Sequence, residues 1–240
     1  MTAEVPPALN SAIITPLLKK STLSAEDRGS YRPVSNLSFI SKILEKIVAL
    51  QLVDYLDAND LLPRYHSGYR RGHSTETALL KILSDLITAV DSVQLALLSL
   101  LDMSAAFDTV DHDILLQRLD GTYGIRGEVL KWFSAYLSGR AQAVHINGTS
   151  SPEIPLKYGV PQGSVLGSIL FVLYTDELEQ IIRKNGIQSH GYADDNQLYA
   201  SCKPDETASL RFSTTGCIEE VQKRMSSNRL KLNPNKTQFM

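Results

Sequence analysis

The sequence predicts an α+β fold in which helices flank a small, largely antiparallel sheet. Three observations support this fold class. Predicted strands and helices are interleaved along the chain, the strands are few, and the hairpin pattern is mixed. Because 43% of the 240 residues are apolar, the chain can form a sizeable core, in one large domain or two small ones.

Apolar residues at helical spacing predict the helices. Residues 40–50 and 79–90 both show this pattern, and Ser74 and Thr75 can cap the second helix. The two helices flank the basic segment RYHSGYRRGH, residues 64–73. Further helices are predicted at 113–119, 128–137, 165–182 and 206–227.

Short runs between turn signals predict the strands. Residues 94–101 are nearly all apolar, which is typical of a strand buried on both faces, and the run ends abruptly at Asp102. AQAVHI, the Asn147-Gly148 turn and EIPLKYGV predict a strand pair. A last short strand is predicted at 230–232.

The charge of the whole chain does not mark it as a nucleic-acid binder. Its 24 basic and 26 acidic residues leave a formal net charge of −2, so any surface for nucleic acid has to be local. Two segments rich in basic residues contain no acid, namely RYHSGYRRGH and QKRMSSNRLKLNPNKTQFM. A solvated face explains such clusters equally well.

Cysteine and hydropathy patterns predict a reducing, intracellular setting. Cys202 and Cys217 are too far apart for a CxxC pair and lack histidines at ligand spacing, so neither zinc nor a disulfide framework is predicted. The N-terminus lacks the pattern of a signal peptide, and the longest apolar run, around 165–174, is shorter than the ~20 residues that span a bilayer. We expect no membrane partner, and the sequence does not decide between nucleus and cytoplasm.

Three carboxylates are predicted to converge. Residues 187–193 and 197–201 predict a hairpin with Asp194 and Asp195 at its tip. If this hairpin is a neighbour of the strand before Asp102, the three carboxylates lie close together. Oxygen-only anionic ligands suit Mg²⁺, with Mn²⁺ as the alternative, and two such ions ~3.5–4 Å apart support nucleotidyl transfer. A surface turn explains the adjacent aspartates equally well.

Six motifs follow one another along the chain: YRPVSNLSFISKILEKI, SGYRRGHSTETAL, LLDMSAAFDTVDHDIL, GVPQGSVLGSILF, YADDNQLY and LKLNPNKT. This series closely resembles the reverse transcriptase domain of non-LTR (LINE-type) retrotransposons, from about Ser11 to the last residue. The resemblance implies an RNA-directed DNA polymerase with an RNA template, a DNA primer and dNTP substrates, and it leaves the oligomeric state open. It also implies the fingers and palm of a right-hand polymerase, with fingers at roughly 11–93 and part of 141–165, and palm at roughly 94–140 and 166–240.

The resemblance assigns catalytic roles to the acidic motifs. Asp102 resembles the first metal-binding aspartate, and the backbone carbonyl of Met103 is implied to help it. Asp194 and Asp195 resemble the second acidic pair, so that two Mg²⁺ ions are implied. Asp194 is the better direct ligand, because adjacent side chains of an extended strand diverge. Lys236 of NPNKT resembles the lysine that orients or protonates the departing pyrophosphate.

Two further motifs are implied to contact the incoming nucleotide. Phe107 resembles the aromatic steric gate under the deoxyribose, with an ordinary core phenylalanine as the alternative. Gln162 of GVPQGS resembles the glutamine that contacts the nucleotide, and Pro161 and Gly163 would let the backbone approach closely. A plain loop into a helix is the alternative there.

Basic and aromatic residues are implied to bind phosphates and nucleic acid. Arg32 of YRPVS resembles the fingers arginine that grips the triphosphate, since arginine binds phosphate bidentately. Lys20, or its neighbour Lys19, could assist, although paired lysines are more often a solvated surface. Arg70 and Tyr192 are the implied template or primer contacts.

Related polymerases are the enzymatic alternatives. An RNA-dependent RNA polymerase shares the palm, but a Gly before the two aspartates and a polar group at the position of Phe107 are then expected, and Ala193 and Phe107 argue against it. Group II intron maturases and telomerase share the palm as well. The STETAL and AAFDTVDH segments are closer to the LINE-type family.

A non-catalytic role is the second class of function, as a truncated relic or a domesticated nucleic-acid-binding fragment. Arg71, Ser168 and Asn196 replace the expected proline, proline and threonine, as happens in a copy no longer under selection. We expect neither a thumb nor an endonuclease domain, and therefore weak, distributive activity at low salt. Because the acidic motifs are intact, a truncated chain that keeps its catalytic residues is favoured over one that has lost them.

Overall fold

The computed structural model describes residues 5–6, 9–104, 106–193, 195–233 and 238–239, without the side chains of residues 104, 238 and 239. Its α-helices are α1 (Phe39–Ala58), α2 (Thr75–Asp91), α3 (His112–Gly121), α4 (Gly127–Leu137), α5 (Val165–Thr175), α6 (Glu177–Lys184) and α7 (Thr207–Ser227). Its strands are β1 (Ser11–Leu18), β2 (Tyr31–Asn36), β3 (Leu95–Leu101), β4 (Met103–Ser104), β5 (Ala141–Ile146), β6 (Thr149–Ser150), β7 (Ile154–Pro155), β8 (Gln188–Tyr192), β9 (Asp195–Cys202), β10 (Lys231–Leu232) and β11 (Gln238–Phe239). The predicted α+β class with a largely antiparallel sheet arrangement is confirmed.

The chain folds as two compact units. Unit 1 comprises residues 1–59 and 107–170, and unit 2 comprises residues 60–106 and 171–240. The division into fingers and palm stays a prediction.

Unit 1 contains a sheet in the order β2-β1-β5-β6, with β7 also paired to β5. Strand β1 is antiparallel to β2 and parallel to β5. The predicted Asn147-Gly148 turn forms after β5, with a left-handed φ at both turn residues, but the strand that follows it directly is β6, which lies before the predicted EIPLKYGV segment. Of that segment, only β7 pairs with β5. Strands β1 and β2 were not among the predicted strands, because neither carries a clear alternating pattern. Each also contains a proline, and these two, Pro16 and Pro33, face each other in the register.

Helix α1 forms as predicted, but its buried face is not the predicted apolar one. Ile43, Ile47 and Leu50 of the predicted stripe are exposed, whereas Glu45 and Leu52 are buried. Helical spacing defines a face without deciding which neighbour covers it.

Unit 2 contains an antiparallel sheet in the order β11-β3-β9-β8 and a short β10–β4 pair. Seven consecutive residue pairs join β3 to β9, and β8 and β9 form the predicted hairpin. Strand β3 is not buried on both faces as predicted, because Ser99 and Leu101 are its only buried residues and Leu95 is exposed.

The long predicted helix at 165–182 is two helices, α5 and α6, separated at Asp176. The hydroxyl of Thr175 donates to the carbonyl oxygens of Phe171 and Val172, at 3.1 and 3.3 Å. Such back-bonding often bends a helix. Helix α2 begins at the predicted cap, Ser74. The Thr77 N–H donates to Ser74 Oγ, and the Ser74 N–H donates to Thr77 Oγ1, which together form a capping box.

Within the described ranges, no helix combines the length and the apolar character that crossing a membrane requires.

Candidate active site

Asp102 lies between β3 and β4 in unit 2 and is held by Asn233. The backbone N–H of Asn233 donates to the Asp102 carbonyl oxygen at 2.9 Å, and its Nδ2 donates to Asp102 Oδ2 at 3.0 Å. Pairing of β10 with β4, in which Leu232 faces Met103, brings Asn233 beside Asp102. The carboxylate is half-buried and has a fixed orientation, as a metal ligand requires.

Asp195 begins β9, next to the end of β3. The last residue pair of the β3–β9 register is Leu101 with Asn196, so that Asp102 and Asp195 follow at the same level on adjacent strands. Neighbouring strands lie only ~4.8 Å apart, and like charges at facing positions repel each other. A divalent cation would relieve this repulsion, and oxygen donors suit Mg²⁺. This donor set therefore fits the implied metal.

The hairpin turn itself is only partly described. Tyr192 pairs with Asp195, and Ala193 follows with φ +56°. Asp195 is thus the first residue of a strand rather than a tip residue. Asp194 and Lys236 lie outside the described residues, so their predicted roles are untested. Among the residues that are described, no group of three or more His, Cys, Asp and Glu side chains could hold a metal ion.

In unit 1, Gln162 lies in a turn that is fixed from two sides. On one side, the Ser35 N–H of β2 donates to the Gln162 carbonyl oxygen at 3.0 Å. On the other side, Ser164 Oγ accepts from the Gly167 N–H at 2.7 Å and so caps α5. Gly163 between them has φ +99°, a left-handed value that favours glycine.

Glu45 of α1 fixes the start of α5, directly after the Gln162 turn. Its Oε2 accepts from the Val165 N–H, the first residue of α5, at 2.8 Å, and its Oε1 accepts from the Tyr136 hydroxyl at 2.7 Å. Burial and the adjacent Glu45 carboxylate raise the pKa of Tyr136, which therefore remains a donor at neutral pH. A carboxylate at this helix N-terminus is also favoured by the helix dipole.

Phe107 is joined to the same loop through the backbone. Its carbonyl oxygen accepts from the Val160 N–H at 2.8 Å. Gly159 has φ +87°, and a Cβ there would lie 2.9 Å from the carbonyl oxygens of Phe107 and Asp108. Only glycine fits this approach. Phe107 is half-buried, and it is not among the core residues.

The other predicted residues have different settings. Arg32 and Lys20 are exposed, and Arg32 lies on β2 opposite Leu17. Lys19 instead donates to the Gly29 carbonyl oxygen at 2.8 Å. Arg70 Nη1 lies 3.4 Å from the carbonyl oxygens of residues 63 and 64, so that it supports its own loop.

Sequence reasoning missed Asn233, Glu45 and His66, whose contact with the hairpin turn is described below. Asn233 and Glu45 both lie inside quoted motifs, LKLNPNKT and SKILEKI. A signal for Glu45 was available, because it lies on the α1 face shared with Ala49 and Leu52, where an acid is unusual. No local signal marks Asn233.

The comparisons with known proteins identify the family of the chain. The family model described as reverse transcriptase (RNA-dependent DNA polymerase) matches residues 17–240, and the chain belongs to this family. Its similarity to LINE-type domains is confirmed. The chain is 34% identical over 167 residues to the probable RNA-directed DNA polymerase from transposon X-element of Drosophila melanogaster, covering 70% of the chain and 18% of that protein. It is 28% identical over 219 residues to the RNA-directed DNA polymerase from mobile element jockey of the same species, covering 89% and 23%.

The fold resembles that of telomerase. Apo telomerase from Candida tropicalis superimposes with a TM-score of 0.66 at 13% identity, covering 97% of this chain and 44% of that one. At this identity the likeness shows the fold alone, and it confirms the right-hand polymerase fold. The chain spans about a fifth of the length of the curated relatives named above.

Proposed function

We propose that the chain is the catalytic domain of an RNA-directed DNA polymerase. It would transfer deoxynucleotides from dNTPs to the 3′-hydroxyl of a DNA primer paired with an RNA template. The observation that best supports this proposal is the β3–β9 register, in which Asp102 and Asp195 follow at one level of adjacent strands.

Asp102, Asp194 and Asp195 would hold the metal, with the Met103 carbonyl oxygen as a further ligand. When bound, two Mg²⁺ ions lower the pKa of the attacking hydroxyl and stabilise charge on the leaving pyrophosphate. Asn233 fixes the Asp102 carboxylate through Oδ2, so that the carboxylate needs little reorganisation. Lys236 would protonate or orient the pyrophosphate.

The unit 1 residues would bind the incoming nucleotide. Arg32 would grip the triphosphate with Lys20 assisting, because both side chains are exposed cations. Gln162 and Gly163 would contact the nucleotide from a backbone turn that cannot shift easily. Phe107 would exclude a 2′-hydroxyl, which favours dNTPs over NTPs.

Template and primer contacts are proposed for Arg70 and Tyr192. Tyr192 is half-buried at the end of β8, directly before the turn that carries the acidic pair. Arg70 lies in a basic segment without acids, where phosphate contacts would supply salt-sensitive affinity.

Primer extension on poly(rA)/oligo(dT) with Mg²⁺ at low salt tests the proposal. The purified chain is compared with an Asp194→Ala, Asp195→Ala double variant and with Asp102→Asn, which keeps the shape of the side chain. Asp91→Asn is the matched control, because Asp91 is an exposed aspartate at the end of α2. We expect extension by the chain and by the control, and a loss of at least about 1,000-fold in the acidic-site variants.

The assay also separates the proposal from its non-catalytic alternative. Extension that survives in the double variant would refute the assigned site. If no sample extends the primer, and the folded chain still binds the duplex, the result would instead favour a relic that binds nucleic acid without catalysis.

A further inference from the structure

The segment Tyr65–Gly68 forms a brace along the outer edge of β8 in unit 2. The Gly191 N–H donates to the Tyr65 carbonyl oxygen at 2.7 Å, and the Ser67 N–H donates to the Gly191 carbonyl oxygen at 2.9 Å. These bonds form a parallel bridge between His66 and Gly191. The brace therefore continues the sheet beyond its edge strand, next to the turn of the YADD motif.

Two glycines allow the brace to approach this closely. A Cβ at Gly68 would lie 2.7 Å from the Ala193 nitrogen, and a Cβ at Gly191 would collide with His66 Cδ2. The imidazole of His66 therefore lies directly against the backbone of Gly191. These close approaches explain both glycines: Gly68 lies in the motif SGYRRGHSTETAL, and Gly191 directly precedes YADDNQLY.

His66 also bonds to the turn. Its Nε2 lies 3.1 Å from the carbonyl oxygen of Ala193. A carbonyl oxygen can only accept, so Nε2 carries the proton. Burial lowers the pKa of His66, so the neutral ring is favoured near pH 7.

Ala193 needs such support. Its φ of +56° lies in the left-handed region, which is unfavourable for a residue with a Cβ. A backbone in this region persists when surrounding contacts fix it. Ser67 adds a second contact to the same hairpin, since its Oγ lies 2.8 Å from His190 Nε2.

We propose that His66 is a positioning residue that holds the β8–β9 turn, through Ala193, in the conformation that polymerisation requires. The inference rests on the proposed function, because the turn precedes the acidic pair of the candidate site. His66 lies in a basic segment, yet its imidazole contacts the hairpin through Ala193 and Gly191. This assigns it a role different from that of Arg70.

The brace is tested first without any activity measurement. Long-range ¹H–¹⁵N NMR of the imidazole in the intact chain reports which ring nitrogen is protonated. We expect a neutral ring with the proton on Nε2 and slow hydrogen exchange at the Gly191 amide. A ring protonated on Nδ1 alone, or a Gly191 amide that exchanges as fast as an exposed one, would overturn the proposal.

Kinetics then separate positioning from nucleic-acid contact. His66→Leu removes the donor, whereas His66→Gln places an amide donor at a similar reach. We expect His66→Leu to lower kcat for primer extension by about 10- to 100-fold with KM values for primer-template and dNTP changed less than about twofold, and His66→Gln to recover most of kcat. His145→Leu is the control, because His145 is half-buried like His66 but lies in unit 1 beside Ser150.

The outcomes are distinguishable. A higher KM for primer-template with unchanged kcat in His66→Leu would show a nucleic-acid contact and refute the positioning role. Equal losses in His66→Leu and His66→Gln would refute the hydrogen bond. If the wild-type chain folds but does not polymerise, the proposed function fails, and the NMR result still decides whether the brace exists.

Discussion

Replacing Glu45 by Gln should lower the free energy of unfolding and weaken dNTP binding. Glu45 is 1% exposed and accepts two hydrogen bonds, from the Tyr136 hydroxyl and the Val165 N–H. Glutamine keeps the shape but presents an NH₂ donor to one of these two donors. Because a hydrogen bond to a charged group contributes ~1.5–3 kcal/mol and an unsatisfied buried group costs ~1–3 kcal/mol, we expect a loss of about 2–4 kcal/mol.

Urea unfolding followed by circular dichroism measures this loss. Tyr136→Phe alone and combined with Glu45→Gln complete a double-mutant cycle, with an expected coupling of about 1–2 kcal/mol. Asp54→Asn is the matched control, since it makes the same carboxylate-to-amide change at an exposed position of α1. A Glu45→Gln chain within about 0.5 kcal/mol of the wild type would refute the reasoning.

The kinetic effect should be specific as well. Glu45 fixes the first turn of α5, and Gln162 lies three residues before Val165. A looser turn should therefore raise KM for dNTP by several-fold and leave KM for primer-template unchanged. Equal changes in both KM values would indicate general unfolding instead.

Three further substitutions follow from individual contacts. Asn233→Ala should raise the Mg²⁺ concentration for half-maximal extension by about 10-fold and weaken Mn²⁺ binding in calorimetry, because Asp102 loses its orienting partner; unchanged values in both assays would contradict this. Gly159→Ala should destabilise the chain by about 1–3 kcal/mol in urea, because the site combines φ +87° with a backbone clash, whereas Gly121→Ala, where a Cβ meets nothing, is the control. Gly216→Ala should stabilise the chain by about 0.5–1 kcal/mol in thermal unfolding, since Gly216 lies inside α7 with open space around it, and a lower midpoint would refute that.

Local patterns predicted the elements that carry the acids. The apolar run ending at Asp102 predicted β3, and two β-prone runs around the adjacent aspartates predicted the β8–β9 hairpin. Both predictions depend on neighbours in sequence, which is why they succeeded. The prediction that β3 is buried on both faces was wrong, because burial depends on which elements cover a strand.

Contacts between distant residues were not predictable in this way. Asn233 reaches Asp102 across 131 positions, and His66 reaches Ala193 across 127. In each case, the residue that orients the site has no periodic or capping signature of its own. Strand pairing alone brings these residues together, and a single sequence does not reveal the partners of a two-residue strand such as β10.

Two glycines, one inside a motif and one directly before a motif, show how such distant contacts are nevertheless encoded. Gly159 lets the GVPQGS loop reach the backbone of Phe107, and Gly191 lets the YADD hairpin reach His66. Each glycine lies in one segment and makes room for another, so that neither can be explained from its own segment. A Cβ at either position would displace the partner segment. A substitution at Gly159 should therefore change the backbone around Phe107, and one at Gly191 the hairpin that carries Asp195, although every predicted site residue is still present.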